Sequence, residues 1–588
     1  MRRAAIGLAA VSLLTSAAPP PPQLRIAPPP GDSPVRCRTP SSDERRYNAP
    51  IVVTGGRVGR EVRNRPMPQA LIVPPSSPPP PPPPVVMSAP PPPGIVAQSS
   101  KQGRMARPSP YGAPRNAERY DGRAVASIQD VATAPVSTFS VDVDTGAYAN
   151  VRRFLNEGQA VPAEAVRTEE LINYFRYDYA RPASRAEPFS ITTDVARTPW
   201  NADTRLIRIG LRSYDVATET RPRANLVFLV DTSGSMGPPD RLPLVKRALE
   251  GLADQLRPDD RVSIVVYAGS AGIVLEPTSN KEYVKAAIAC LDAGGSTAGG
   301  AGIELAYATA RASYIQGGVN RIFLATDGDF NVGISDRSAL EALVKRNRDD
   351  GITLTTLGFG RGNLNDAMME RIADVGNGNY SYIDSASEAR KVLEDELSAT
   401  MVTVAKDVKV QVEFNPAQVS QYRLIGYENR ALAEEDFTND AVDAGDMGAG
   451  HQVTALYEVV PAGGPGWTPV RRYAANRPSP VASPRFSGGG ELANVKLRYK
   501  LPTGTVSREL SRPVSAALLA SARPPAGDMA FAVSVAAFGQ KLRGDKYLGS
   551  YGFGDIRALA GEPRSYWRQQ FVELTRLADR GAAAGGGE

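Results

Sequence analysis

Four short apolar runs punctuate the middle of the chain: NLVFLV (225–230), RVSIVVY (261–267), RIFLAT (321–326) and ITLTTLGFG (352–360). Between them lie longer stretches with apolar residues every third or fourth position, RLPLVKRALEGLADQL, KEYVKAAIACL, AGIELAYATARASYI and SALEALVKRNRDDG. A period near 3.6 predicts amphipathic helices, and short runs apolar on both faces predict strands buried on both faces. The alternation over 223–402 therefore predicts an α/β domain with a doubly wound, mainly parallel sheet, closed by a helix over SASEARKVLEDELSATM. The flanks read differently. FSITTDVARTPW and TRLIRIGLRSYDV before it, and KDVKVQVEFNP, QYRLIGYEN, HQVTALYEVVP and ANVKLRYKLPTG after it, have strand periodicity. One economical arrangement is a single β-sandwich built by both flanks with the α/β domain inserted.

The remaining segments complete the plan. Residues 135–222 open with a strand, a turn and two helices, including VRTEELINYFRYDY, ahead of the first flanking strands. The region 403–580 is a β-rich domain ending in helices over MAFAVSVAAFGQKLRG and RSYWRQQFVELTRLADRG, and 581–588 reads as a disordered tail. Residues 1–18, MRRAAIGLAAVSLLTSAA, have the charged start, short apolar run and small-residue end of a secretory signal peptide, which implies export to the periplasm, cell envelope or exterior. No later stretch has about 20 consecutive apolar residues, so no membrane span is expected. Residues 19–125 are rich in Pro, Arg, Ser and Ala, with prolines unbroken from Pro78 to Pro84. This composition predicts a disordered, locally polyproline-II tether.

Composition narrows the chemistry. The chain of 588 residues carries one histidine, His451, so a multi-histidine metal centre is excluded and any triad would have to use that residue. Its position ahead of QVTALYE predicts a structural role at a strand start. Of the two cysteines, Cys37 falls in the tether and Cys290 in a predicted helix; a buried thiol at Cys290 and no bridge are expected. The net charge of +6 comes largely from residues before 125, a basic tether able to touch anionic envelope surfaces. No arginine–aromatic interleaving points to nucleic acid.

In open parallel sheets, ligands bind beyond the carboxyl ends of the strands. After NLVFLV comes Asp231-Thr232-Ser233-Gly234-Ser235, and after IFLAT comes Asp327-Gly328-Asp329. Thr297 sits in the glycine-rich LDAGGSTAGG loop before a helix. With no nearby base for a serine nucleophile, two carboxylates and three hydroxyls suit a hard divalent cation, Mg²⁺ first and Mn²⁺ or Ca²⁺ as alternatives. DTSGS, GGST and ATDGD resemble the metal-ion-dependent adhesion site of von Willebrand factor type A domains. That resemblance implies direct ligation by Ser233 and Ser235, and by Thr297 in an open state, with Asp231 and Asp327 acting mainly through water. It also implies a non-enzymatic module whose metal takes its last ligand from an acidic side chain of a protein partner. FSVDVDTGAYANVRRFL, TDGDFNVG and DAGDMGAGHQVTALYEV extend the resemblance over about 135–580 to secreted bacterial proteins of the YfbK type. The family's switching behaviour implies that partner binding shifts the helix 386–401.

Other readings remain. The metal site could be only a folding staple in an envelope structural or assembly protein. Asp144-Thr145-Gly146 matches an aspartic-protease triplet, and D-V-D brushes a phosphatase motif, but neither has the surrounding pattern its class needs; Asp142 and Asp144 read as a turn and helix-capping pair. An aspartate-dependent hydrolase is therefore the remote alternative. The acidic stretch 434–446 reads as a solvated loop.

Overall fold

The strand Ala224–Asp231 is buried along its whole length and forms the centre of a six-stranded sheet. The computed structural model describes residues 118–585 apart from 142, 297–298, 329–336, 396–398, 400 and 469–489, and all of these belong to one compact unit. Across the sheet the strands run Tyr380–Ile383, Thr353–Phe359, Val319–Thr326, Ala224–Asp231, Arg261–Tyr267 and Ala271–Thr278. Every neighbouring pair is parallel except the last, which is antiparallel. The chain begins in the centre, winds outward through Arg261–Tyr267, then returns to the other side of the first strand. The order therefore reverses between Ala224–Asp231 and Val319–Thr326, opening a crevice at their carboxyl ends.

Helices cover both faces. Leu242–Gln255, Lys281–Ala289 and Ala386–Arg390 pack on one side against Leu226, Phe228, Ile264 and Phe323. Gly299–Ala312, Arg337–Asp349 and Asp366–Val375 cover the other, against Val227, Leu229, Ile322 and Leu354. This two-sided burial explains why the central strands read as continuous apolar runs. The expected closing helix is broken: α-helix over Ala386–Arg390 passes into a π-turn over Lys391–Asp395.

Both flanks build one β-sandwich. One sheet is ordered Gln129–Asp130, Val419–Ile425, Gln452–Pro461, Arg205–Ser213, Phe189–Arg197. The other is Ala431–Leu432, Val136–Ser140, Thr403–Phe414, Glu491–Lys500, Ser507–Ser515. Each sheet mixes strands from before and after the α/β domain, and Phe139, Ile209, Val410, Tyr457 and Val495 share the core between them. A third layer joins Gly146–Asn156 and Thr168–Asn173 to the helices Gly527–Leu542, Phe553–Ala560 and Tyr566–Gly585, with Tyr148, Phe175, Phe531 and Phe571 in its core. Helix Gly527–Leu542 is apolar all round because it is buried all round. Among the described residues, no helix is long and apolar enough to cross a membrane.

Several expectations need correction. The tether does not extend to 125: Arg119 N–H donates to the Leu364 carbonyl at 2.9 Å, and Arg153 donates to Glu118 at 2.9 Å, fixing this segment against the α/β domain and the helix Gly146–Asn156. The final helix continues to Gly585, consistent with the helix-forming Ala582–Ala584. Cys290 is half-buried and disulfide-bonded rather than a free buried thiol; Cys37, the only other cysteine, lies outside the described residues, as do the 1–18 segment and Asp142. The N-cap of the helix Gly146–Asn156 is Thr145 rather than Asp144. Asp144 accepts the Tyr380 N–H at 2.8 Å and pairs with Arg430 at 3.1 Å, tying the N-terminal flank to the α/β domain and the sandwich. The acidic stretch 434–446 is largely exposed, as expected of a solvated loop, and is tied at two points: Asp440 accepts from Arg498 at 2.9 Å, and Asp446 from Asn377 at 3.1 Å. His451 is structural, as expected, its Nδ1 accepting the Gly448 N–H at 3.2 Å.

Buried ion pairs weld the layers. Arg152 reaches Asp384 and Glu388 at 2.5 and 2.7 Å; Arg423 reaches Glu458 and Asp545, both at 2.8 Å. Arg167 pairs with Glu170 and Asp366, and beside them Glu370 meets Arg430 at 3.3 Å. Burial raises the Glu370 carboxyl to about 7, outweighing the pull of Arg167 and Arg430. A raised folded-state value makes this group's contribution to stability complete below the unfolded value and lost as pH climbs through about 7. Glu370→Gln removes that loss. Between pH 5 and 8 the variant should therefore gain about 2 kcal/mol relative to wild type, read from urea unfolding at the two pH values.

Candidate metal centre

The sequence delivers Asp231 to the sheet edge as the last residue of a central strand and leaves its carboxylate with 0 % exposure. Such a carboxylate must be hydrogen-bonded. Its Oδ1 accepts the Ser233 N–H at 2.9 Å, and its Oδ2 accepts the Thr326 hydroxyl at 3.1 Å, reaching across to the strand beyond the switch point. Thr326 Oγ1 in turn accepts the Gly328 N–H at 3.2 Å, which fixes the turn carrying Asp327. The loop after Asp231 begins extended and then coils into a 3₁₀ turn over Gly234–Met236. That change of direction brings the Ser233 and Ser235 hydroxyl oxygens to 3.0 Å from each other.

The glycine-rich loop is zipped onto the same edge. Gly234 N–H donates to the Gly295 carbonyl at 3.0 Å, and Gly294 N–H to the Thr232 carbonyl at 2.8 Å. Thr297 and Asp329 lie outside the described residues. Asp327 has 0 % exposure and pairs with Arg241, whose guanidinium also donates to the Ser235 carbonyl at 2.7 Å. Four of the five expected site residues, Asp231, Ser233, Ser235 and Asp327, thus gather at the carboxyl ends of two adjacent strands. Burial raises the Asp231 carboxyl to about 6; hydrogen bonds from Ser233 hold it down, while Asp327 pushes it up.

Thr326 and Arg241 were not singled out from the sequence. Thr326 looked like the last residue of a buried strand. Arg241 carried a usable signal, because a cation at a helix start opposes the helix dipole and calls for an anion nearby.

Among the described residues the donor set is oxygen only: two carboxylates and two hydroxyls. No group of three or more His, Cys, Asp and Glu among the described residues is placed to hold a metal ion, so a cation here would depend on the serine hydroxyls. The edge has no imidazole, and the sole histidine is committed within the sandwich.

A doubly wound sheet with a D-x-S-x-S loop at its switch point defines a von Willebrand factor type A domain, and the family model of that domain matches residues 225–420. Such domains generally serve as protein-interaction modules, typically without enzymatic activity. A model described as von Willebrand factor matches 114–208, and one described as the C-terminal part of uncharacterized protein YfbK matches 399–580. The chain belongs to the YfbK family: it is 48 % identical over 464 residues to YfbK of Escherichia coli (strain K12), covering 77 % of this chain and 79 % of that protein. Among solved structures it is similar to a von Willebrand factor type A protein from Catenulispora acidiphila, at 16 % identity and TM-score 0.37, covering 68 % of this chain and 91 % of that one. It is also similar to proximal thread matrix protein 1 of the mussel byssus, solved with a zinc-occupied metal-ion-dependent adhesion site, at 22 % identity and TM-score 0.26, covering 32 % and 46 %.

Gly328 tests how tightly the edge is built. Its φ is +90°, and a Cβ there would lie 2.5 Å from the Asn365 nitrogen and 2.7 Å from the Leu364 Cα, both backbone. Gly328→Ala should cost about 2–4 kcal/mol in denaturant unfolding, since neither backbone has room to yield.

Proposed function

We propose that this chain is an exported, non-enzymatic envelope binding module. A divalent cation held by Asp231, Ser233, Ser235, Thr297 and Asp327 would capture an acidic side chain of a protein partner. The observation that carries the reading is the paired hydroxyl oxygens of Ser233 and Ser235, 3.0 Å apart beside two fully buried carboxylates. The two hydroxyls share a hydrogen bond, and hard oxygen donors of this kind would suit Mg²⁺ first, with Mn²⁺ or Ca²⁺ as alternatives. Few direct charged ligands leave such an ion electrophilic, with a corner for one more anionic oxygen. Residues 1–18 would direct export, and the basic segment before 118 would make any peripheral envelope contact.

The chain's own groups have definite parts. The Ser233 N–H and the Thr326 hydroxyl orient the Asp231 carboxylate. The Gly234 and Gly294 backbone bonds hold the glycine-rich loop against the loop that carries Ser233 and Ser235. A bound cation would supply Lewis acidity toward the partner's carboxylate.

Capture of a partner from envelope extract on the immobilised full chain should require millimolar Mg²⁺ and vanish in excess chelator. Asp231→Ala should weaken Mg²⁺ uptake in calorimetry by about ten- to a hundredfold and abolish capture while the fold persists. Equal capture in chelator rejects the reading. If Asp231→Ala lowers the melting temperature but leaves capture intact, the metal is a staple that stabilises by mass action alone.

A further inference from the structure

Arg241 stands at the N-cap of the helix Leu242–Gln255, where the helix dipole opposes a cation, yet its side chain is only 11 % exposed. One guanidinium serves three loops of the sheet edge. Nη1 donates to the Ser235 carbonyl and to the Asp327 carboxylate, and Nη2 donates to the Arg361 carbonyl at 2.5 Å and to Asn363 Oδ1 at 3.0 Å. The loop after Thr353–Phe359 is shaped to receive it. Gly360 has φ +71°, and a Cβ there would overlap the Arg241 stem. The arginine is therefore built into the edge. For a site that only had to hold a cation tightly, a fixed positive charge on one of its two carboxylates is counterproductive.

We propose that Arg241 sets the charge of the site, neutralising Asp327 so that a bound divalent ion retains net positive charge and holds a carboxylate ligand more tightly at the expense of its own affinity. This deepens the metal-dependent reading above and rests on it. Asp231, Asp327 and Arg241 together carry one net negative charge. A divalent cation turns that into one net positive charge. Without the guanidinium the same ion would be fully compensated by the two aspartates, and an incoming carboxylate would meet a neutral site. Metal affinity and carboxylate affinity therefore respond to Arg241 in opposite directions. A residue that merely braced the loops would move both in the same direction.

The test uses the full chain, Mn²⁺ as the metal and acetate as the carboxylate. Free Mn²⁺ is followed by electron paramagnetic resonance, and acetate by its displacement of Mn²⁺-bound water in proton relaxation. Arg241→Gln and Arg241→Met should bind Mn²⁺ about tenfold more tightly and acetate about tenfold more weakly than wild type. Arg241→Lys, which keeps the charge and loses the fork, should stay near wild type in both. Unchanged or weaker Mn²⁺ binding by the neutral variants, at an unchanged melting temperature, overturns the proposal and leaves the metal reading standing. A neutral variant that loses Mn²⁺, acetate and thermal stability together identifies a brace and also overturns it. Absence of Mn²⁺ uptake by wild type rejects the underlying reading, and this proposal with it.

Discussion

The constraint on which the rest depends is the burial of the Asp231 carboxylate at the end of a central strand. A carboxylate with no water contact is tolerated only if its oxygens are hydrogen-bonded. The structure supplies those bonds from both sides of the switch point: the Ser233 N–H from its own loop and the Thr326 hydroxyl from the neighbouring strand. The reversal in strand order is what makes the second bond available, because it sets the end of Val319–Thr326 directly beside Asp231. The turn over Gly234–Met236, the zipped glycine-rich loop and the Arg241 anchorage of Asp327 all elaborate that edge.

Much of this was legible in the chain, for a physical reason. Strands such as NLVFLV are buried on both faces and are therefore mainly apolar, so the apolar run and the D-x-S-x-S that ends it announce both element and site. The helices Asp366–Val375 and Phe553–Ala560 were missed, and so were several edge strands. Ala271–Thr278 contains Gly272 and Pro277, and Ser507–Ser515 is mostly exposed and contains Pro513; both are outer strands, where polar residues and proline are tolerated and the alternation blurs. Tyr380–Ile383 is only four residues long. The VRTEELINYFRYDY segment read as one helix, yet only Thr168–Asn173 is helical, because Tyr174, Phe175, Tyr177 and Tyr179 turn into the aromatic core instead. Within the site, ligand types were readable from spacing. The Arg241–Asp327 pair, separated by 86 residues, was not, since pairing across loops is a property of the fold.

The layers are joined by charge as much as by apolar contact. Arg152, Arg167, Arg423 and Arg430 are buried or nearly so, and each spans segments distant in sequence. A buried pair can be worth little against an apolar substitute, but removing one member leaves an uncompensated charge and is strongly destabilising. Such pairs punish misalignment of the flanks around the α/β domain. Arg430 alone contacts Asp144, Glu370 and Asp374, drawn from the N-terminal flank and from the helix Asp366–Val375.

The mixed parentage of the sandwich has a kinetic corollary. Val136–Ser140 finds its partner in Thr403–Phe414, and Arg205–Ser213 pairs with Gln452–Pro461, so each junction closes a loop of more than two hundred residues. Long-range pairings of this kind form slowly. The nascent chain completes its central α/β unit before the second halves of both sheets are even synthesised. That unit brings the sandwich halves together, and until the later strands emerge the early ones wait with unpaired edges, the state in which a chain is most open to aggregation or to chaperone capture.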